Sequence, residues 1–313
     1  MQGGVGNTLD LSMSTANAPS AFWETQRERG TMVMLRLMCW IATHLGRRVA
    51  RGMLYPLTLY FTLTSATTRR VSRDYLRRVL PGRPRLSQLL RHVFTFASTS
   101  LDRVFLLSDT HPFEVRMHGL EQATATARAG GTLLFVAHFG SFEVMRVGAL
   151  RVHHLPLKIV LDAAIGRHFM TALADLNPEL ANNIIDCSQR ALDPVLKIRE
   201  ALAQGSIVGL MVDRFRVGER IVEVEFLGGR ARFPAGPWLV AAALRVPVII
   251  AFGTWEGGDR YDLHFEIFAE HVELPRDRRE AALLGHVQRY ADRLAEAVRR
   301  SPYSWSNFFD FWV

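Results

Sequence analysis

Cysteine is nearly absent from this chain, which has only Cys39 and Cys187 among its 313 residues. Two cysteines cannot build a disulfide framework, and their separation matches no paired-cysteine motif. The sequence also lacks HExxH, any Cys/His cluster, a P-loop and a Gly-x-Gly-x-x-Gly turn after a strand. We therefore expect a protein of a reducing compartment that uses no metal and no nucleotide cofactor.

No hydrophobic run is long enough to cross a membrane, since a spanning helix needs about 20 apolar residues. The longest candidates are MVMLRLMCWIATHL (32–45) and GMLYPLTLYFTLTSA (52–66), and the second contains Pro56. These stretches carry Trp40, Tyr55 and Tyr60 between groups of arginines, which is typical of helices lying in the membrane interface. A buried helical hairpin of the core is the alternative interpretation.

Acidic residues are almost missing between Arg36 and Arg91, where Asp74 is the only one against twelve arginines. Because the whole chain carries a formal charge of +8, the positive charge is concentrated in this stretch. Such a stretch suits anionic lipid headgroups, an acidic protein or nucleic acid. The arginines are not interleaved with aromatic residues on strands, as single-stranded nucleic acid requires. We therefore expect an anionic membrane surface as a partner and no nucleic acid.

Hydrophobic periodicity divides the chain into three segments. Residues 1–20 are rich in Ser, Asn, Gly and Thr and are expected to be a disordered leader. Residues 21–110 are predicted to be a basic helical membrane-facing segment, which ends in a long amphipathic helix from Leu86. Residues 111–313 alternate strand and helix patterns, including a helix near 167–176 and a two-stranded insertion after Glu219. The predicted fold class is α/β, with a largely parallel mixed sheet flanked by helices behind a basic membrane-associating segment.

One predicted strand ends on a histidine. The stretch LLFVAHFGSFEVMR (133–146) runs through apolar residues to His138 and places Glu143 five positions later. The carboxyl end of a buried parallel strand is where open sheets place their chemistry. Ser141 is a good N-cap, so Glu143 would lie in the first turn of the next helix. A carboxylate beside an imidazole makes the histidine a usable general base, although a structural histidine is the alternative for the pair alone.

Three further stretches follow in order, namely GLMVDR (209–214), FLGGRARFPAGP (226–237) and VPVII (246–250). With the His138-x4-Glu143 pair they resemble, in order and approximate spacing, the four sequence blocks of the lysophospholipid acyltransferase superfamily. The chain looks most similar to its bacterial branch of lipid A lauroyl and myristoyl acyltransferase relatives. The likeness covers residues 30–313, including the aromatic ending WSNFFDFW.

This resemblance implies a membrane-associated enzyme that moves a fatty acyl group from an acyl carrier protein or coenzyme A thioester to a hydroxyl or amine of a lipid acceptor. It implies His138 as the general base and Glu143 as the residue that orients it. It also implies a peripheral or monotopic location on the cytoplasmic face of a bacterial inner membrane. Substrate binding is assigned, by position in the blocks, to Gly140, Asp213, Arg214, Arg232, Phe233, Pro234 and Gly236.

Individual roles follow from the chemistry of these side chains. Arg214 would hold phosphate or stabilise charge, with Asp213 as its anchor. Gly140 would permit close approach of the substrate. Arg232 would supply a second anion contact, with an exposed strand arginine as the alternative.

The chain departs from part of the superfamily at Ala235, where the glycerol-phosphate branch usually has Glu after Phe-Pro. A glycolipid, amino-lipid or polyene acceptor is therefore favoured over lysophosphatidate. Two other functions stay open, an acyl thioesterase and a non-enzymatic protein that binds anionic membranes. A serine hydrolase would need a Gly-x-Ser-x-Gly nucleophile elbow, which the sequence lacks.

Overall fold

A computed structural model describes residues 31–108, 110–145, 156–162, 183–188, 192–216 and 218–313. The predicted leader at 1–20 and the predicted helix near 167–176 lie outside these residues. The division between a membrane-facing segment and an α/β domain at residue 110 stays a prediction.

Three helices precede the sheet: α1 (Thr31–Thr64), α2 (Ala66–Val79) and α3 (Leu86–Ser108). Helix α1 is broken at Gly46, whose backbone is not helical (φ 80°, ψ 167°), so the two apolar stretches form two helical pieces. Ser65 caps α2 by accepting a hydrogen bond from the backbone N–H of Thr68. Among the described helices, none combines the length and apolar character required to cross a bilayer.

The remaining elements alternate as the sequence predicts. The helices are α4 (Leu120–Ala129), α5 (Asp193–Ala203), α6 (Gly236–Leu244) and α7 (Arg279–Arg300), the last preceded by a 3₁₀ turn (Arg276–Arg278). The strands are β1 (Glu114–His118), β2 (Thr132–Val136), β3 (Leu157–Leu161), β4 (Ile184–Asp186), β5 (Ile207–Met211), β6 (Ile221–Phe226), β7 (Gly229–Pro234), β8 (Val248–Gly257) and β9 (Arg260–Ala269).

Seven strands form one sheet in the order β1-β9-β8-β2-β5-β3-β4. Every neighbouring pair is parallel except β8 and β9, which are antiparallel. The predicted insertion is a separate antiparallel hairpin of β6 and β7. The mixed, largely parallel sheet confirms the predicted fold class.

The apolar strand β2 lies at the centre of the sheet and is buried along its whole length. On one face Phe135 packs edge-to-face on Trp238 of α6, with ring centroids 5.0 Å apart. On the other face Val136 shares a core with Ala123 of α4 and with Phe142. Helices cover both faces, so strand ends at the carboxyl edge are the positions where this sheet can present polar side chains.

Helix α1 is attached to the rest of the molecule by apolar and ionic contacts. Its residues Ala50 and Leu54 are buried in a cluster with Leu101 and Phe105 of α3. Arg47 donates from Nε to Oδ1 of Asp102 at 2.7 Å, and this aspartate is fully buried. These contacts hold α1 against α3.

Candidate active site

The adjacent strands β2 and β5 bring two polar residues together at the carboxyl edge of the sheet. Val136 and Met211, the last residues of these strands, are partners in the parallel register. Two residues beyond each of them lie His138 and Asp213. The Nδ1 atom of His138 is 2.8 Å from Oδ1 of Asp213, and the backbone N–H of His138 donates to Oδ2 at 3.1 Å.

The carboxylate of this pair is fully buried and ionised. Burial alone would raise the pKa of Asp213, but the interactions with His138, Arg214 and the Trp305 indole hold it well below its usual range. An ionised carboxylate only accepts hydrogen bonds, so Nδ1 of His138 carries the proton and Nε2 carries the lone pair.

The imidazole is held neutral and reachable. Burial lowers the pKa of His138, and the charge of Arg214 lowers it further, while Asp213 acts in the opposite direction. The side chain keeps 25% of its surface exposed. A neutral imidazole with an accessible Nε2 can accept a proton from a substrate near neutral pH.

The sequence predicts that Glu143 orients His138, but among the described residues its carboxylate contacts Ser141 and Arg103 instead. Ser141 immediately precedes helical residues 142–145, so Glu143 does lie in the first turn. Its carboxylate accepts a hydrogen bond from Ser141 Oγ at 3.1 Å and forms an ion pair with Arg103, whose Nε is 3.2 Å away. Asp213, which the sequence assigns to anchoring Arg214, is the carboxylate that contacts the imidazole.

A comparison with models of protein families matches residues 37–312 to the bacterial lipid A biosynthesis acyltransferases. The chain belongs to this family. It is therefore an acyltransferase acting in lipid biosynthesis, which confirms the family and the enzyme class that the four blocks predict. A search of curated proteins found no match.

Arg214 of the acyltransferase directly follows Asp213 at the carboxyl edge of the sheet, and its part in substrate binding stays a prediction. Its Nη2 donates to the carbonyl of Ser306 at 2.6 Å, and its guanidinium stacks over the ring of Phe309, 4.9 Å from the centroid. Arg214 and Arg103 both depress the pKa of His138 through their charges. Two cations therefore act on the imidazole through their charge, one after β5 and one from α3.

Gly140 of the acyltransferase is required by the protein's own backbone. Its φ of +67° is in the left-handed region, and a β-carbon there would overlap the carbonyl oxygen of Gly253 on β8. The close approach of a substrate to Gly140 stays a prediction.

The third sequence block of the acyltransferase contributes to the hairpin and the core. Arg232 pairs with Glu223 across β6 and β7 at 3.1 Å, as an ordinary strand arginine does. Phe233 is fully buried, with its ring 5.5 Å from that of Phe311. Pro234 ends β7 and Gly236 begins α6. Within the described residues, no hydrogen bond or ring contact joins these four block residues to His138 or Asp213.

The carboxyl-terminal tail contacts the site. The sequence predicts a tail that closes over an acyl channel, docks on the membrane or packs against the core, but it does not predict contacts with His138 and Asp213. The backbone N–H of Gly140 donates to Ser304 O at 2.7 Å, and that of Ser306 donates to His138 O at 2.8 Å. Between them Trp305 donates from its indole N–H to Asp213 Oδ2 at 3.1 Å. The density of aromatic residues in WSNFFDFW was the available signal, but it does not say what the tail packs against.

Metal ligands do not cluster at this edge. Across the ranges that the structure describes, no group of three His, Cys, Asp or Glu side chains is placed to hold a metal ion.

Proposed function

We propose that this acyltransferase moves a fatty acyl group from an acyl carrier protein or coenzyme A thioester to a hydroxyl or amine of a lipid acceptor, with His138 as general base. The observation that supports the proposal is the His138–Asp213 hydrogen bond at the edge of the sheet, which leaves Nε2 free to face a substrate. The family supports the reaction class, and the geometry supports the assignment of roles.

In the proposed reaction, Nε2 of His138 takes the proton from the acceptor as its oxygen or nitrogen attacks the thioester carbonyl. The ionised Asp213 stabilises the imidazolium that forms. The tetrahedral intermediate then collapses, the carbon–sulfur bond breaks, and the imidazolium returns its proton to the leaving thiolate. The imidazole is regenerated neutral, so protons and electrons balance.

Negative charge on the tetrahedral oxygen needs a positively polarised environment. Arg214 and Arg103 supply positive charge near His138. The helical residues 142–145 begin directly after residues 138–141, which we call the catalytic loop. We assign Glu143 to this side of the site, where its ion pair with Arg103 at 3.2 Å positions that guanidinium. Glu143 is thus a positioning residue that acts through Arg103.

The first helix offers a surface for an anionic membrane. Helix α1 buries Ala50 and Leu54 and exposes further apolar residues, among them Val49, Met53, Leu59, Tyr60 and Leu63. Arg48 beside them is exposed, and the arginine-rich α2 follows. An exposed apolar surface beside arginines suits the interface of a bilayer with anionic lipids. We therefore place the enzyme on the cytoplasmic face of the bacterial inner membrane.

Sedimentation with phosphatidylglycerol/phosphatidylethanolamine vesicles tests this surface. Met53→Glu should weaken binding by about tenfold or more, because it removes an apolar side chain from the interface. Leu284→Glu is the matched control, since Leu284 on α7 is 45% exposed and Met53 is 41% exposed. Equal binding by both variants and the parent protein would contradict the assignment.

Thioester consumption measured with and without a lipid acceptor tests the reaction itself. The proposal predicts that cleavage depends on the acceptor and that mass spectrometry finds the acyl group on the lipid. Release of free fatty acid at the same rate without an acceptor would instead show a thioesterase.

A further inference from the structure

A third side chain holds the catalytic pair in place. The indole N–H of Trp305 donates to Oδ2 of Asp213 at 3.1 Å, and both side chains are buried. We propose that Trp305 is a positioning residue for acyl transfer, which fixes the Asp213 carboxylate so that its other oxygen faces Nδ1 of His138. The inference rests on the proposed function of His138.

The carboxylate of Asp213 is fixed by three donors from two parts of the chain. Oδ1 accepts a hydrogen bond from Nδ1 of His138. Oδ2 accepts two, from the backbone N–H of His138 and from the indole N–H of Trp305. Two of these donors belong to His138 itself, and the third, the indole N–H, comes from outside the His138–Asp213 pair. Without it Oδ2 keeps a single donor, the backbone N–H of His138, and the carboxylate is less firmly held against rotation away from the imidazole.

Trp305 is itself rigidly held. Its ring packs edge-to-face on Tyr75, Phe226 and Phe311 at centroid distances of 5.2, 5.4 and 4.9 Å. Its carbonyl oxygen is 2.9 Å from Nε2 of His92 on α3. The backbone on both sides of it is hydrogen-bonded to the catalytic loop through Gly140 and His138. Because the indole is already fixed in this position, little further conformational entropy is lost during the reaction.

His92 links this arrangement to the helices in front of the sheet. Its Nδ1 is 2.8 Å from Ser72 Oγ on α2, and its ring stacks on Phe308 with centroids 4.5 Å apart. Hydrogen bonds therefore connect α2 to the catalytic pair through His92 and Trp305. His92 contacts Ser72 and the backbone carbonyl of Trp305, and the indole N–H of Trp305 contacts Asp213, which in turn contacts His138. The basic helical segment supports the site through these hydrogen bonds.

The electrostatic consequence has a definite sign. The charged and titratable groups acting on the pair are Arg214 after β5, Arg103 from α3 and the phenol of Tyr290 from α7. Removing the indole donor lets the Asp213 carboxylate turn away from Nδ1, so the pKa of His138 loses part of the contribution from Asp213 that raises it. The acid limb of kcat/KM, which reports protonation of the general base, should then move to lower pH, in the same direction as in Asp213→Asn.

Trp305→Phe tests the inference, because it keeps an aromatic ring and removes the N–H. We expect kcat to fall about 10- to 100-fold, as for the loss of a hydrogen bond to a charged group. Trp312→Phe is the matched control, since that indole also donates to a protein acceptor, the carbonyl of Phe226 at 2.8 Å, within the same tail. Trp312→Phe should leave the pH profile unchanged.

If Trp305→Phe does not fold, benzothienylalanine at position 305 keeps the bicyclic shape and replaces only the N–H by sulfur. Combination with Asp213→Asn separates positioning from general support of the fold. If Trp305 acts through Asp213, its loss should have little further effect in the Asp213→Asn protein.

Additive losses, or a lower kcat without a shift of the acid limb, would overturn the assignment of Trp305. That result is distinguishable from failure of the proposed function. If His138→Ala retained full activity, the role of His138 itself would be wrong, whatever the behaviour of Trp305.

Discussion

Nδ1 of His138 lies 2.8 Å from Oδ1 of Asp213, a residue 75 positions later in the chain. The two meet because β2 and β5 are parallel neighbours whose last residues, Val136 and Met211, are in register. The chain continues two residues beyond each strand end to the polar side chain. The geometry of the pair is thus a direct result of strand order and register.

The two carboxylates near the site should respond differently to neutralisation. Asp213 raises the pKa of His138 by its charge and its hydrogen bond. Asp213→Asn should therefore lower the pKa of His138, move the acid limb of kcat/KM to lower pH, and reduce kcat by about 100-fold or more. Steady-state kinetics across pH 4–9 would measure both effects.

Glu143→Gln is the comparison for that variant. It loosens Arg103, whose Nε is 3.2 Å from the carboxylate, and it leaves the hydrogen bond to the imidazole intact. We expect a lower activity and a smaller shift of the acid limb than in Asp213→Asn, because the charge of Arg103 influences the pKa of His138 less than Asp213 does. A shift of the limb in Glu143→Gln and none in Asp213→Asn would reverse the roles assigned to the two residues.

The sequence alone could identify His138 but not its partner. An apolar run ending in a histidine locates the strand and its edge, and GLMVDR shows the same feature at Asp213. What the sequence does not contain is the strand order β8-β2-β5-β3, which makes these two ends adjacent. The sequence favours Glu143 because it lies in the first helical turn after His138 and completes the H-x4-E pattern, yet its carboxylate contacts Ser141 and Arg103.

Trp305 shows a second limit of sequence reasoning. Aromatic residues predict burial, and the tail is indeed buried at Trp305 and Phe311. The position of the tail depends on backbone pairing with residues 138–140, more than 160 residues earlier, as in the bridge between Phe139 and Trp305. No local propensity encodes that pairing.

Gly140→Ala should destabilise the acyltransferase through both backbone strain and overlap. The φ of +67° costs an alanine about 1–2 kcal/mol, and the overlap with the Gly253 carbonyl adds about 1–3 kcal/mol of overpacking. Gly228→Ala is the control, because Gly228 has a φ of +74° with open space around it. Urea unfolding of both variants measures the difference. Equal losses would contradict the close approach of Gly253.

The attachment of α1 depends on the buried pair of Arg47 and Asp102. Asp102 accepts two hydrogen bonds from Arg47 at 2.7 and 3.0 Å and a third from the Tyr261 hydroxyl at 2.7 Å. Asp102→Asn should reduce the free energy of unfolding by about 3 kcal/mol, because it removes the buried ion-pair partner of Arg47 and leaves the half-exposed Asp259 to pair with the guanidinium.

Asp310→Asn is the control for that substitution. Asp310 accepts two hydrogen bonds from Arg70 at 2.7 Å, but both side chains are more than half exposed. Its loss should cost at most about 1 kcal/mol. Similar losses in the two variants, measured by urea unfolding, would show that the buried pair does not anchor the helix.

His92 should make the folded protein sensitive to acid. Burial lowers the pKa of His92 to about 4, from an ordinary value of 6.5. Between pH 6.5 and 4 the unfolded chain binds a proton here that the folded chain does not, so stability is lost as the pH falls through this window. Below pH 4 the loss levels off at about 3 kcal/mol.

His92→Gln removes this titration. Between pH 7 and pH 4.5 the parent protein should lose about 2–3 kcal/mol more unfolding free energy than the variant does. The comparison uses the change with pH, so a constant cost of the substitution cancels. Parallel pH dependences of the two proteins would mean that His92 is not held neutral.

The rate of acyl transfer by purified His138→Ala tests the central claim most directly. His118→Ala is the matched control, because His118 also ends a strand and lies 3.9 Å from an aspartate, Asp262. With both variants folded by circular dichroism, transfer to the lipid acceptor should fall by about 100- to 10,000-fold in His138→Ala and stay at the parental rate in His118→Ala. Transfer by His138→Ala at the parental rate would contradict the assignment of the general base.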